Sequence, residues 1–212
     1  MTTICVIPAR GGSRRIPKKN IKLFYGKPII AYSIEAAKAS KLFDRIVVST
    51  DDQGIAYVAR AYGVEVHERS VELSKDEVGT FEVTRALFHA YRSFQYKLRV
   101  ERVCTIYATS PMISVEDIVA GYNILVRRID RVDHVISVGS WLEDAGQFYW
   151  SSERALLNGD PYLGPYTVML PIDPHRVCDI NTFEDWERAE RMYAEFYQLD
   201  LSSQMLNVRG NL

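Results

Sequence analysis

The sequence predicts an α/β fold with a mostly parallel sheet, and three observations carry that reading. Short β-branched apolar runs alternate with segments whose apolar residues recur at helical spacing. The runs are apolar on consecutive residues, as strands covered on both faces require. With 212 residues, 47% of them hydrophobic and 25% charged, the chain can bury on the order of 70% of its unfolded surface around one core without disulfides.

The first strand is Thr3-Ile4-Cys5-Val6-Ile7-Pro8, ended by the Gly-Gly-Ser and Pro signals that follow. Pro28 suits a first helical turn, and Ile30, Ile34 and Ala37 recur behind it at helical spacing up to Ser40. Ile46-Val47-Val48-Ser49 reads as the second strand. Thr50-Asp51-Asp52-Gln53 has the capping-box pattern, with Asp51 and Asp52 as cap residues rather than metal ligands, ahead of a helix that Gly63 stops. Val64-Glu65-Val66 is a short strand, 80–91 an amphipathic helix, and 102–107 a further strand. Ser114 opens the next helix. The strand 134–138 precedes a less regular region, and the last helix runs over about 182–197. One domain is expected over 1–198, with a C-terminal tail over 199–212 and no internal repeat.

Composition narrows the function. No apolar run approaches the roughly 18 residues of a membrane span, and the start MTTICVIPAR is too short and too soon interrupted for a signal peptide, so a cytoplasmic protein is expected. Cys5, Cys104 and Cys178 are odd in number, far apart and without a C-x-x-C, which predicts small buried apolar residues, neither disulfides nor a zinc knuckle. The histidines at 67, 89, 134 and 175 form no H-E-x-x-H pair, and no G-x-S-x-G elbow is present. The net charge of −1 conceals an asymmetry, because Arg10, Arg14, Arg15, Lys18, Lys19, Lys22 and Lys27 all precede the first carboxylate, Glu35. Confined to so short a stretch, that charge fits a small anionic ligand better than nucleic acid.

In open α/β sheets ligands bind beyond the carboxyl ends of the strands. The loop after the first strand is Ala9-Arg10-Gly11-Gly12-Ser13-Arg14-Arg15-Ile16-Pro17-Lys18-Lys19-Asn20. Gly11 and Gly12 allow backbone N–H groups to approach phosphate oxygens, and the five bases can neutralise a triphosphate. The loop is neither G-x-x-x-x-G-K-[ST] nor G-x-G-x-x-G, which disfavours P-loop hydrolysis and the ordinary dinucleotide fold.

These residues carry a resemblance. IPARGGSRRIPKKNI, followed by GKPIIAYSIEAA and FDRIVVSTDD, and later YGVEVHERSVELSKD, IYATSP, DAGQFYW and DINTFEDWERAERMY, resemble the acylneuraminate cytidylyltransferases (CMP-sialic acid synthetases). DAGQFYW and ATSP look most like the pseudaminic acid branch. The resemblance implies a single-domain, Rossmann-like, three-layer fold of the nucleotidyltransferase type with a mostly parallel, mixed central sheet. It also implies attack by the anomeric hydroxyl of a sugar-acid acceptor on the α-phosphate of CTP, assisted by Mg²⁺, with pyrophosphate leaving. On the matching positions, Arg10, Gly11, Gly12, Ser13, Arg14, Lys19 and Asn20 would hold the phosphates. Arg69, followed here by Ser70 where the family has proline, and Thr80 would lie around base and ribose. Tyr107, Asp144, Gln147 and Tyr149 would face the sugar, and Arg10, Lys19 and Asp179 would carry catalysis.

Two departures from the family stand out. Its Asp-x-Asp metal pair is Asp179-Ile180-Asn181 here, which removes one negative charge, while Thr182-Phe183-Glu184-Asp185 also reads as a helix cap. After HVISV the family inserts some tens of residues that carry sugar contacts and a dimerisation arm, whereas this chain has only 139–145. An acceptor pocket lacking one wall is therefore expected, together with a homodimer interface that is reduced or absent. The resemblance leaves two alternatives: a nucleotide-binding protein without turnover, and a nucleotidyltransferase for a smaller acceptor.

Overall fold

The computed structural model describes residues 2–93, 96–128 and 131–199; of the expected C-terminal tail, 200–212 lie outside the described residues. The elements run β1 (Thr2–Pro8), β2 (Leu23–Phe24), β3 (Lys27–Pro28), α1 (Ile29–Ser40), β4 (Arg45–Thr50), α2 (Gln53–Ala61), β5 (Glu65–Glu68), α3 (Thr80–Arg92), β6 (Val100–Ile106) and α4 (Val115–Arg127). They continue with β7 (His134–Val138), β8 (Asp144–Ser152), α5 (Glu153–Asn158), β9 (Thr167–Pro171) and α6 (Phe183–Phe196). Seven strands form one sheet in the order β5-β4-β1-β6-β8-β7-β9, and β2 and β3 form a small hairpin beside it. Within the large sheet β8 alone runs against its neighbours. The sheet is therefore mixed and mostly parallel, as expected.

Helices cover both faces. On one, α1, α2 and α4 pack Ile30, Ile34, Ile55, Ile118 and Leu125 against Cys5, Ile7, Val48, Ile106 and Trp150. On the other, α3 and α5 set Leu87, Phe88, Tyr91 and Leu156 on Ile4, Val6, Val47 and Val103. The helix α6 closes a separate cluster with Ile16, Phe24, Ile29 and Tyr32, so the end of the chain braces the basic loop and the β2–β3 hairpin. Between α4 and the sheet the fit is tight: a Cβ on Gly121 would lie 2.7 Å from Trp150 Cδ1, closer than real side chains come. The three cysteines are free and buried. No helix among the described residues is long and apolar enough to cross a membrane.

The helix starts follow cap chemistry. Ser114 Oγ accepts from the N–H groups of Glu116 and Asp117 at the start of α4, and Thr182 and Asp185 form a reciprocal capping box on α6. At α2 Asp52 is a cap residue as the sequence predicts, accepting from Ile55 N–H, but the expected capping box is not formed, because Thr50 Oγ1 accepts from Asp52 N–H. Beyond Val138 the irregular region resolves into β8, α5 and β9. The connection from β7 to β8 is a tight turn with Gly139 N–H on Glu143 O at 2.8 Å, which leaves Trp141 91% exposed at its tip.

Candidate active site

The site sits where the carboxyl ends of β1, β4 and β6 meet, as the parallel topology dictates. The basic loop leaves β1 there and is tied down by its own backbone. Gly11 N–H donates to Asp51 Oδ1 at 2.8 Å, Ser13 N–H to Gly11 O, and the buried Asn20 side chain to Arg10 O at 2.9 Å. Asp51 thus anchors the loop instead of capping α2. A Cβ on Gly11 would lie 2.8 Å from Asp52 Cβ. Its glycine serves close packing on the neighbouring strand end, and its N–H is already taken. Neither Gly11 nor Gly12 is among the residues that line the cavity described next.

The loop opens on a cavity of about 470 Å³ whose walls include Arg10, Ser13, Arg14, Arg15, Lys19 and Asn20. Arg69, Thr80, Tyr107 and Asn181 complete it from other elements. Lys18 points elsewhere, exposed on a left-handed residue with φ 53°. Arg69, on the cavity wall, donates from its guanidinium to Ser49 O at 2.8 Å. Burial lowers its pKa, with Asp51 opposing and Arg10 adding to the shift. Lys19 is tied to the segment that carries Asp179 and Asn181. Its ammonium donates to Ile180 O at 2.5 Å, and burial pulls its pKa below the ordinary lysine value of 10.5, with Asp179 opposing and Arg15 and Arg10 reinforcing the shift.

A second cavity, also of about 470 Å³, adjoins the first and shares Thr80 and Tyr107 with it. Asp144 and Tyr149 line it together with Phe81, Tyr162, Leu163 and Met169. Tyr149 donates to Asp144 and reaches Tyr107 Oη at 3.3 Å, and its ring stacks on Tyr162 at 4.5 Å. Burial raises the Tyr149 pKa, so the phenol stays protonated. Gln147 lines neither cavity; it is buried, and its amide donates to Arg176 O at 2.6 Å. Leu142 from the β7–β8 turn and Pro161, Tyr162 and Leu163 also line this cavity. Those residues belong to none of the quoted motifs, whereas Asp76 in the first cavity is the last residue of YGVEVHERSVELSKD, to which the sequence reading gave no role.

Asp179 and Asn181 stand side by side at the rim. The Asn181 amide donates to Asp179 Oδ2, and its oxygen faces Arg15 at 3.4 Å. No group of three or more His, Cys, Asp or Glu side chains among the described residues is placed to hold a metal by itself.

Fold and cationic cavity together make this chain a nucleotidyltransferase. CMP:2-keto-3-deoxy-manno-octonic acid synthetase, solved with CTP, superposes with a TM-score of 0.70 at 16% identity, covering 92% of this chain and all of that one, a likeness of fold. The chain belongs to the cytidylyltransferase family, whose model matches residues 4–132. It is 33% identical over 227 aligned positions to the pseudaminic acid cytidylyltransferase of Campylobacter jejuni (strain 81-176), covering 91% of this chain and 97% of the relative. That alignment is longer than the chain's 212 residues, so the relative carries residues that this chain lacks. N-acylneuraminate cytidylyltransferase A of Danio rerio is 38% identical over 133 residues, which cover 63% of this chain and 29% of the relative.

Proposed function

We propose that the chain transfers CMP from CTP to the anomeric hydroxyl of a nonulosonic acid of the pseudaminic type, releasing pyrophosphate, with Mg²⁺ as cofactor and in the cytoplasm. The observation that carries this reading is the pair of adjoining cavities. One is lined by five cations and the other by tyrosines and aliphatic side chains, with Thr80 and Tyr107 between them. The reaction brings a carboxylated acceptor to an already anionic triphosphate, so neutralisation and alignment dominate its barrier. Arg10, Ser13, Arg14, Lys19 and Asn20, with Arg15 at the rim, hold the phosphates. Arg69 and Thr80 lie toward ribose and base. The charged side chains lining the second cavity are Glu82 and Asp144, both acids, so the acceptor's carboxylate turns toward the cations and its uncharged substituents toward Tyr149, Leu163 and Met169.

The donors at 179–181 suit Mg²⁺ shared with a nucleotide. This ion is usually held by one or two carboxylates and substrate phosphates rather than by a protein cage. Asp179 and Asn181 would hold it, and the bound ion would offset negative charge on the phosphates. Asn181→Asp adds the second carboxylate. We expect the Mg²⁺ concentration for half-maximal turnover to fall about five- to tenfold; an unchanged Mg²⁺ titration would remove residue 181 from the metal site.

Tyr149→Phe deletes the hydroxyl that links Asp144 to Tyr107. The expected result is a rise of about tenfold in acceptor KM with CTP affinity unchanged; equal effects on both substrates would place Tyr149 outside an acceptor site. The reading as a whole is tested by pyrophosphate release from CTP with pseudaminic, N-acetylneuraminic, legionaminic and 3-deoxy-manno-octulosonic acids. Release with pseudaminic acid above the others supports it. CTP binding without release on any acceptor would favour a nucleotide-binding protein, and release with another acceptor alone would reassign the sugar.

A further inference from the structure

Among the described residues that line the cationic cavity, Asp76 is the single carboxylate, and it pairs with both Arg10 and Arg14, the latter at 2.7 Å. The segment that carries it begins at Arg69 and ends at Thr80, both of which line the same cavity. Its two ends are anchored, Arg69 on Ser49 O and Thr80 beside Tyr107 Oη, and between them the hydrogen bonds are local, with Ser74 Oγ on Ser70 O at 2.8 Å and Val78 N–H on Lys75 O at 3.2 Å. The link across the cavity is the Asp76 carboxylate. We propose that Asp76 is a built-in competitor for the phosphate chain: between turnovers it holds Arg10 and Arg14 in place, yields both to the incoming triphosphate, and takes them back as pyrophosphate leaves.

The inference rests on the reading of this cavity as a polyphosphate site, and its physics is a contest between anions. Asp76 offers two oxygens to two guanidinium groups, which a polyphosphate matches with more charge and more oxygens. The pairs are open to water, with side-chain exposure of 39% for Arg10, 84% for Arg14 and 40% for Asp76, so breaking them costs little. A carboxylate left beside the bound phosphates repels them. It therefore weakens both substrate and product, and for pyrophosphate that weakening aids departure.

The test is calorimetric binding of pyrophosphate, CTP and cytidine to the wild-type chain and to Asp76→Asn, Asp76→Ala and Asp76→Glu. We expect the first two variants to bind pyrophosphate and CTP about fivefold more tightly, the effect of removing one like charge at close range. Cytidine should be unaffected, and Asp76→Glu should stay near wild type. Pyrophosphate affinity that is unchanged or weaker in both neutral variants would overturn the proposal. Pyrophosphate binding without CTP binding by the wild type would contradict the cytidylyltransferase reading while leaving the competition measurable on pyrophosphate. Binding of neither would end both.

Discussion

Lys19→Ala should lower kcat/KM for CTP by about 10²–10³. Its ammonium is fixed on Ile180 O, and burial and the neighbouring Arg15 and Arg10 work against its charge. A preorganised charge of this kind needs no reorganisation when negative charge builds on the phosphates, so its loss acts on the transition state. The lowered pKa adds a pH signature. Only the protonated amine pairs with phosphate, so CTP affinity should fall as pH rises through a value below the ordinary lysine 10.5, and Lys19→Ala should lack that alkaline limb. Lys19→Arg keeps a charge but replaces a point donor with a planar fork, and should recover part of the loss. Turnover within threefold of wild type in the alanine variant would remove Lys19 from the chemistry.

The largest stability effect is expected at Trp150. Its ring is fully buried, stacks on Phe43 at 5.4 Å, and donates from Nε1 to Ile118 O at 3.0 Å, joining β8 to α4. Trp150→Ala opens a cavity at the centre of that layer and should cost about 3–5 kcal/mol, a large part of a typical 5–15 kcal/mol. For a chain of this size Tm should fall by roughly 6–20 °C. Trp150→Phe retains most of the packing but loses the indole bond to Ile118 O, and should fall between the two. A loss under about 1 kcal/mol in the alanine variant would mean that this layer repacks far more freely than close-packed cores do.

Much of this molecule is legible in its residues, for reasons that differ by element. Strands β1, β4, β6 and β7 are consecutive apolar runs, and α1, α3, α4 and α6 are long enough to show a period and carry caps at Ser114 and Thr182. The segment 139–171 is not readable in that way. There α5 has six residues, too few for periodicity, and β9 follows the turn-rich DPYLGPY. β8 is buried along most of its length on both faces, which erases the alternation that marks a strand. The cationic half of the site is legible because charge segregates in sequence. Its details are tertiary: Gly11 gives its N–H to Asp51, Asp76 arrives from 66 residues away to meet Arg10, and Gln147 turns to Arg176 because the chain after β9 passes beneath it.

A CMP unit should move from CTP to a pseudaminic-type acid. Mass spectrometry of the product formed from CTP, Mg²⁺ and pseudaminic acid tests it directly. One species is expected, with CMP joined to the sugar acid, formed together with pyrophosphate and absent when ATP, GTP or UTP replaces CTP. Recovery of unchanged sugar acid from a protein that binds CTP would contradict it.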